Sequence, residues 1–279
     1  VHGSLLDPGS PTLHQILEPG DVDAVIHLAA LSLVGESMQD PGRYFEANVG
    51  GAVALLEALR RHGPRRLLFS STAAVYGHPT EVPIPESAPP SPVNPYGESK
   101  LMIERVLHWY GEIHGLSWIA LRYFNAAGAT AARGEDHHPE THLIPALLEV
   151  ALGQRSELVL FGDDYPTPDG TCIRDYIHVA DLAVAHRLAG ERLMDGTAAS
   201  GAYNLGLGSG FSVREVVEAA RQVTGARIPL RVGPRRAGDP AALVARSERA
   251  RRELGWTPRH TALDDIVGSA WAFKRRHPR

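Results

Sequence analysis

Tyr96-Gly97-Glu98-Ser99-Lys100 sets a phenol and an ammonium four residues apart, directly after Pro95. Positions i and i+4 share one face of a helix, so the two side chains point the same way. A cation beside a phenol favours phenolate. Lys100 is therefore expected to bring Tyr96 down from its ordinary pKa of about 10 and make it a proton-transfer group. Acid/base chemistry of this kind is that of dehydrogenases. In isolation the same spacing is more often an ordinary exposed Tyr and Lys at the start of a helix, so the surrounding elements decide.

Those elements alternate. Residues 23–30 form a short apolar run ending in small residues, suited to a buried parallel strand that feeds a loop beside a ligand. Residues 40–62 show helical periodicity through Tyr44, Val49, Val53, Leu56 and Leu59, and 65–72 read as the next strand, ending Phe69-Ser70-Ser71-Thr72. A Pro-rich loop over 78–95 precedes the helix opened by Tyr96, which runs to about 114, and 117–124 read as a third strand. Strand, helix, strand, helix, strand specifies an α/β fold with a parallel, doubly wound sheet. Beyond Asn125 a Gly/His/Pro-rich stretch reaches Pro139, and a second region begins with a helix over 143–153 and a strand over 158–161. A strand over 174–179 leads into a helix over 180–194 that returns to the first layer. Strands over 202–206 and 228–230 and helices over 212–224, 247–254 and 263–276 complete the pattern.

The 279 residues, 43% hydrophobic, suffice for one large domain or two closely joined ones. A net charge of -4 with scattered Lys and Arg leaves no electrostatic footprint for nucleic acid. One cysteine, Cys172, excludes an internal disulfide and any cysteine-based metal cluster, and points to a reducing cytoplasm. No apolar run is long enough to span a bilayer, so no membrane partner is expected. The fourteen His residues show no H-E-x-x-H or similar spacing; no metal is expected, and His137-His138 reads as exposed loop.

Eight stretches, in order, carry a resemblance over almost the whole chain. They are His27-Leu28-Ala29-Ala30, Val34-Gly35-Glu36-Ser37, Ser70 to Gly77, Asn94 to Lys100, Arg122-Tyr123-Phe124-Asn125, Asp163 to Thr171, Arg174 to Val179, and Pro234-Arg235-Arg236-Ala237-Gly238-Asp239-Pro240. Together they resemble the extended short-chain dehydrogenase/reductase family, in its nucleotide-sugar 4-epimerase branch. The resemblance implies a Rossmann-type NAD domain over 1–125, to which 172–195 returns, and a smaller α/β region over 126–279 that binds the UDP-sugar. It implies that Tyr96 removes and restores the proton of the sugar 4-hydroxyl while hydride passes to NAD and back. Lys100 would tune Tyr96 and bond the nicotinamide ribose, and Thr72 would bond the reacting oxygen. Thr72 is also suited to cap the turn after its strand.

Cofactor contacts are implied for Leu28, Ala29, Ala30, Asn48, Ser70 and Phe124, and substrate contacts for Asn125, His142, Leu143, Arg174, Arg236 and Asp239. Guanidinium forks suit diphosphate oxygens and a carboxylate suits ribose hydroxyls, although ion pairing would equally account for Arg174 and Arg236. Leu243 matches a position beside the sugar pocket, where intermediate bulk leaves N-acetylated sugars open. A homodimer is implied, joined through helices over 40–62 and 96–114. The resemblance further places a G-x-x-G-x-x-G turn upstream of Val1, so an N-terminally truncated sequence is expected. Ser4 and Ser32 depart from the residues usual at their positions, which weakens two cofactor contacts, and Arg246 stands where an acid is common. Three other readings stand beside this one. A 4-epimerase of a pentose or uronate nucleotide would differ only in its pocket contacts. A 4,6-dehydratase needs an acid and a base after the hydroxyl residue, where this chain has Ala73-Ala74. A non-catalytic binding protein on a dinucleotide fold would not need Thr72, Tyr96 and Lys100 together.

Overall fold

The computed structural model describes residues 3–6, 11–137, 140–236 and 239–277. After α1 (Pro11–Leu17), strand β1 (Val25–His27) leads through α2 (Val34–Gln39) and α3 (Pro41–Tyr44) into a π-helical turn (Phe45–Gly50) and α4 (Gly51–His62). Strand β2 (Arg66–Thr72) ends in a 3-10 turn (Ala73–Tyr76), and α5 (Pro95–His114) carries the chain to β3 (Ser117–Tyr123). Next come β4 (Asn125–Ala127), α6 (Leu143–Ala151), β5 (Leu158–Phe161), β6 (Ile173–Arg174), β7 (Tyr176–His178) and α7 (Val179–Met194). They precede β8 (Gly201–Leu205), β9 (Phe211–Ser212), α8 (Val213–Thr224), β10 (Leu230–Gly233), β11 (Ala242–Leu243), a second π-helical turn (Ala250–Leu254) and α9 (Leu263–Arg276).

Strands β1-β2-β3-β8 form one sheet, parallel throughout, with Thr72 opposite Tyr123 at its carboxyl end. Leu67, Phe69 and Ala120 pack towards Leu55, Leu59, Ile103 and Leu107 of α4 and α5. Leu68, Ile119 and Leu121 pack towards Leu182, Ala185, Ala189 and Trp256 on the opposite face. Coverage on both faces is why β2 and β3 read as continuous apolar runs, whereas Ile26 of β1 stays exposed. Each buried Leu, Ile or Phe among them contributes roughly 1.5–3 kcal/mol. A separate core joins Leu147 of α6, Val216 and Ala220 of α8 and Ile266 of α9 in the second region.

Three elements differ from the sequence expectation. The helix expected over 40–62 is broken into α3, the π-helical turn and α4, its start fixed by Asp40, whose Oδ1 accepts from Arg43 N at 3.1 Å. The strand expected over 174–179 divides at Asp175. There the backbone N–H donates to Leu243 and the carbonyl accepts from Asn125, so the chain changes strand partners from β11 to β4. The strand expected over 228–230 instead occupies β10 and pairs with β5. α7 packs on β2 and β3 as expected, and β8 then joins the first sheet beside β3. Among the described residues no helix is long and apolar enough to cross a membrane.

Candidate active site

The first turn of α5 presents Tyr96. Asn94 caps it, its Oδ1 accepting from Gly97 N at 2.8 Å, and Pro95 starts the helix where its missing N–H is not needed. Gly97 is required for a different reason: a Cβ there would stand 2.5 Å from the carbonyl oxygen of Ala74. The bare backbone lets α5 rest directly on the 3-10 turn behind Thr72. Tyr96 is thereby set beside the Thr72 side chain, which favours its phenolate. Thr72 also caps the turn, its Oγ1 accepting from Ala74 N at 3.2 Å, as a residue ending a strand there can.

Lys100, 3% exposed, donates from Nζ to the carbonyl of Ser70 at 2.9 Å and lies 4.9 Å from the centroid of the Phe69 ring. The same Nζ is 6.0 Å from the Tyr96 ring centroid. Burial of the ammonium lowers its pKa to about 8. Burial also pushes the Tyr96 phenol up, opposed by the Thr72 side chain. The expectation that Lys100 lowers Tyr96 is corrected here. Desolvation dominates, Lys100 is turned to the Ser70 carbonyl, and the group that favours the Tyr96 phenolate is Thr72. The pair is nonetheless far from the exposed Tyr and Lys of the alternative reading.

Asn48, carried on the π-helical turn and buried, ties this helix to the loop after β1. Its amide donates to Ser99 Oγ at 3.0 Å and to Leu31 O at 3.1 Å, while its Oδ1 accepts from Leu31 N at 2.8 Å. Ser99 Oγ in turn donates to the Tyr96 carbonyl at 2.8 Å. Leu28, Ala29 and Ala30 stand exposed where β1 ends. Below them His27 is buried with Nε2 unpartnered, and desolvation followed by the Lys100 charge lowers its pKa to about 4.

A polar network behind the sheet end escaped the sequence reading. Arg122 forms an ion pair with Glu104, donating from Nε at 3.0 Å, and Ser71 Oγ donates to the same carboxylate at 2.5 Å. Arg122 Nη1 also donates to Tyr76 Oη at 2.7 Å, Tyr76 donates to Asn204 at 2.8 Å, and Asn204 donates to the Ile84 carbonyl at 2.9 Å. The available signal was Arg122 itself, a charge inside the apolar run Ile119-Ala120-Leu121, since a buried charge demands a partner. Next to it, Tyr123 is hydrogen-bonded to His186.

The remaining predicted residues lie on short strands and loops. Arg174 donates from Nη2 to Asp239 Oδ1 at 3.0 Å. Arg236 stands exposed with its guanidinium 4.1 Å from the Phe161 ring centroid, and its carbonyl accepts from Asp239 N at 3.3 Å. Ala237 and Gly238 lie outside the described residues. His142 precedes Leu143 at the start of α6, and the hydrogen bond from its Nδ1 to Glu140 at 2.9 Å raises its pKa, opposed by burial and by Arg236. Asn125 starts β4, while Phe124 and Leu243 pack against one cluster of Val75, Tyr76, Ile84 and Leu101.

A family model described as the NAD dependent epimerase/dehydratase family matches residues 1–206. The chain belongs to this family. A curated UDP-glucose 4-epimerase from Halalkalibacterium halodurans is 54% identical over 280 residues, covering 99% of this chain and 83% of the relative. A crystal structure of UDP-glucose 4-epimerase superposes with a TM-score of 0.95 at 50% identity, covering 100% of this chain and 84% of that one. A UDP-glucose-4-epimerase from Stenotrophomonas maltophila, solved with bound NAD and formylated UDP-arabinopyranose, gives a TM-score of 0.93 at 41% identity, covering 99% and 82%. Membership makes NAD the cofactor, and the epimerase relatives, 54% identical over 99% of this chain, make isomerisation the reaction class. The residues present fit such a cofactor. In a doubly wound sheet dinucleotides lie across the carboxyl ends of the strands, and here these ends bring together a buried ammonium, an orphaned imidazole nitrogen and the open ledge Leu28-Ala29-Ala30.

Proposed function

We propose that this protein interconverts UDP-galactose and UDP-glucose by inversion at carbon 4 of the sugar. The observation that carries the reading is Tyr96 set beside Thr72 and 6.0 Å, ring centroid to Nζ, from the buried Lys100, in a chain 54% identical to a UDP-glucose 4-epimerase. NAD held at the strand ends beside Lys100 would supply the acceptor and then the donor of the carbon 4 hydride, which inversion requires to return to the opposite face of the sugar ring. Tyr96 accepts the 4-hydroxyl proton and later restores it, and Thr72 hydrogen-bonds the reacting oxygen. Lys100, with a pKa near 8, holds the nicotinamide ribose and exchanges protons close to working pH. Leu28, Ala29, Ala30, Asn48, Ser70 and Phe124 line the cofactor side. Asn125, His142, Leu143, Arg174, Arg236 and Asp239 hold the UDP moiety, with the guanidinium groups on the diphosphate.

The division of labour follows the sequence reading, with the NAD domain over 1–125, joined again by 172–195, and the UDP-sugar region over 126–279. Ala73 and Ala74, in the turn after Thr72, offer no carboxyl group for elimination, which favours epimerisation over dehydration. Leu243 shares its packing cluster with Phe124, and its intermediate bulk keeps UDP-N-acetylhexosamine as a second substrate class. Val53 on α4 and Trp109 and Ile113 on α5 are exposed, and a second copy of the chain is the occupant we assign to that surface. With its single thiol buried, the protein suits a reducing cytoplasm.

The test is a proton NMR time course of UDP-galactose with the natural gene product and catalytic NAD. Appearance of UDP-glucose without net NADH is expected. Unchanged substrate despite bound NAD overturns the assignment. Sedimentation velocity at micromolar protein should give a dimer that Trp109→Glu converts to monomer.

A further inference from the structure

The loop between β4 and α6 brings together three side chains that the proposed reaction does not need as a group. Glu135, His137 and His142 each offer one ligand atom, and these atoms lie within 4.8 Å of one another. The His137 and His142 rings are 5.3 Å apart and tilted by 54°. Glu135 Oε1 accepts from the backbone N–H of Asp136 and of His137, both at 2.9 Å, which fixes the carboxylate at the rings. Glu140, whose side chain is 5% exposed, takes Nδ1 of His142 at 2.9 Å. A carboxylate on one imidazole nitrogen sets the tautomer and leaves Nε2 as the lone-pair donor, the arrangement that supports ligating histidines in metal proteins.

We propose that Glu135, His137 and His142 bind one divalent transition-metal ion of the zinc class, clasping the 128–142 loop to the start of α6. Two imidazoles and a carboxylate suit Zn²⁺, Ni²⁺ or Cu²⁺, whereas Mg²⁺ and Ca²⁺ require sets of oxygen ligands. Zinc–ligand bonds near 2.0–2.2 Å place tetrahedral ligand atoms about 3.3 Å apart, so closure takes a movement of about 1.5 Å at the side-chain tips. All three ligands are exposed on a loop, where that movement meets no packed core. Three protein ligands leave a position for water. The sequence concealed the site because the ligands follow no helical metal spacing; the loop curls Glu135 and His137 back onto the residue that opens α6.

The experiment dialyses the protein against a chelator and then titrates it with zinc sulfate alone, read by calorimetry and by competition with a chromophoric chelator. One equivalent is expected, unaffected by millimolar Mg²⁺ or Ca²⁺. His137→Ala and Glu135→Ala should each weaken binding by more than about 100-fold, and Glu140→Gln, acting through His142, by about 10-fold. Cobalt substitution should give the intense visible bands of a four-coordinate site in the wild type and lose them in His137→Ala, whose unchanged circular dichroism establishes folding. No uptake by the wild type at tenfold excess zinc overturns the proposal, as does retention of the equivalent by His137→Ala. The titration uses metal alone, so its result stands whether or not the sugar-nucleotide reading holds.

Discussion

The carboxyl end of the main sheet and the Arg174–Arg236 region are built in opposite ways. At the sheet end Thr72, Tyr96 and Lys100 are fixed by strand and helix backbone, Lys100 is buried, and Glu104, Arg122, Tyr76 and Asn204 brace the same end from behind. Around Arg174 the side chains rest on two-residue strands and loops, Arg236 is exposed, and Arg174 already holds a carboxylate. Proton transfer needs atoms held within tenths of an ångström in a dry setting, where hydrogen bonds and charges act strongly. Diphosphate recognition tolerates a mobile, hydrated guanidinium that exchanges one anionic partner for another.

The difference predicts contrasting outcomes. Tyr96→Phe keeps the ring and removes the acid/base group, so kcat of the natural gene product should fall by about 10²–10⁴-fold while UDP affinity stays within twofold. Retention of most of the rate would sink the role given to Tyr96. Glu104→Ala leaves Arg122 buried without its counter-ion, and chemical denaturation should register a loss of about 3–5 kcal/mol. A loss below about 1 kcal/mol would mean that the network is solvated and does not brace the site.

Lys100→Met should separate stability from function. Holding an ammonium whose pKa falls from 10.5 to about 8 costs about 3 kcal/mol, and this cost is present in full below pH 8. The variant should therefore be more stable than wild type at pH 7, and its advantage should shrink as pH rises from 8 to 10.5, where the folded lysine is neutral and the unfolded one still charged. Its turnover should fall by at least about 100-fold. Denaturant midpoints at pH 7 and pH 10 check the sign. Arg174→Ala gives the smallest effect, a rise of about 10–100-fold in KM for the UDP-sugar with kcat changed less than threefold. An unchanged KM would leave Arg174 with only its ion pair to Asp239.

Much of the scaffold was legible because local periodicity writes it. Parallel buried strands show as Leu67-Leu68-Phe69 and Ile119-Ala120-Leu121, and α5 is announced by Asn94-Pro95 and closed by Gly115. The break at Phe45–Gly50 was not legible, since the apolar spacing through Tyr44, Val49 and Val53 runs on across it and the weak helix formers Asn48, Gly50 and Gly51 do not by themselves mark a π-helical turn; only the fold shows Asn48 turned to the loop after β1. The exchange of partners at Asp175 was equally hidden, because its carboxylate answers backbone N–H groups of Leu207, Gly208 and Ala245, far along the chain.

By itself the sequence determined the alternation of strand and helix, the family motifs, and the placement of Tyr96 and Lys100 on one helical face, since spacing along a helix is a local property. Tertiary structure decided the chemistry those residues have: Tyr96 raised, Lys100 lowered to about 8, His27 held neutral, and Glu104 joined to Arg122. Protonation depends on which distant segments exclude water and which partners they bring within hydrogen-bond reach, and that is set only when β2, β3, α5 and the turn after Thr72 close over one another.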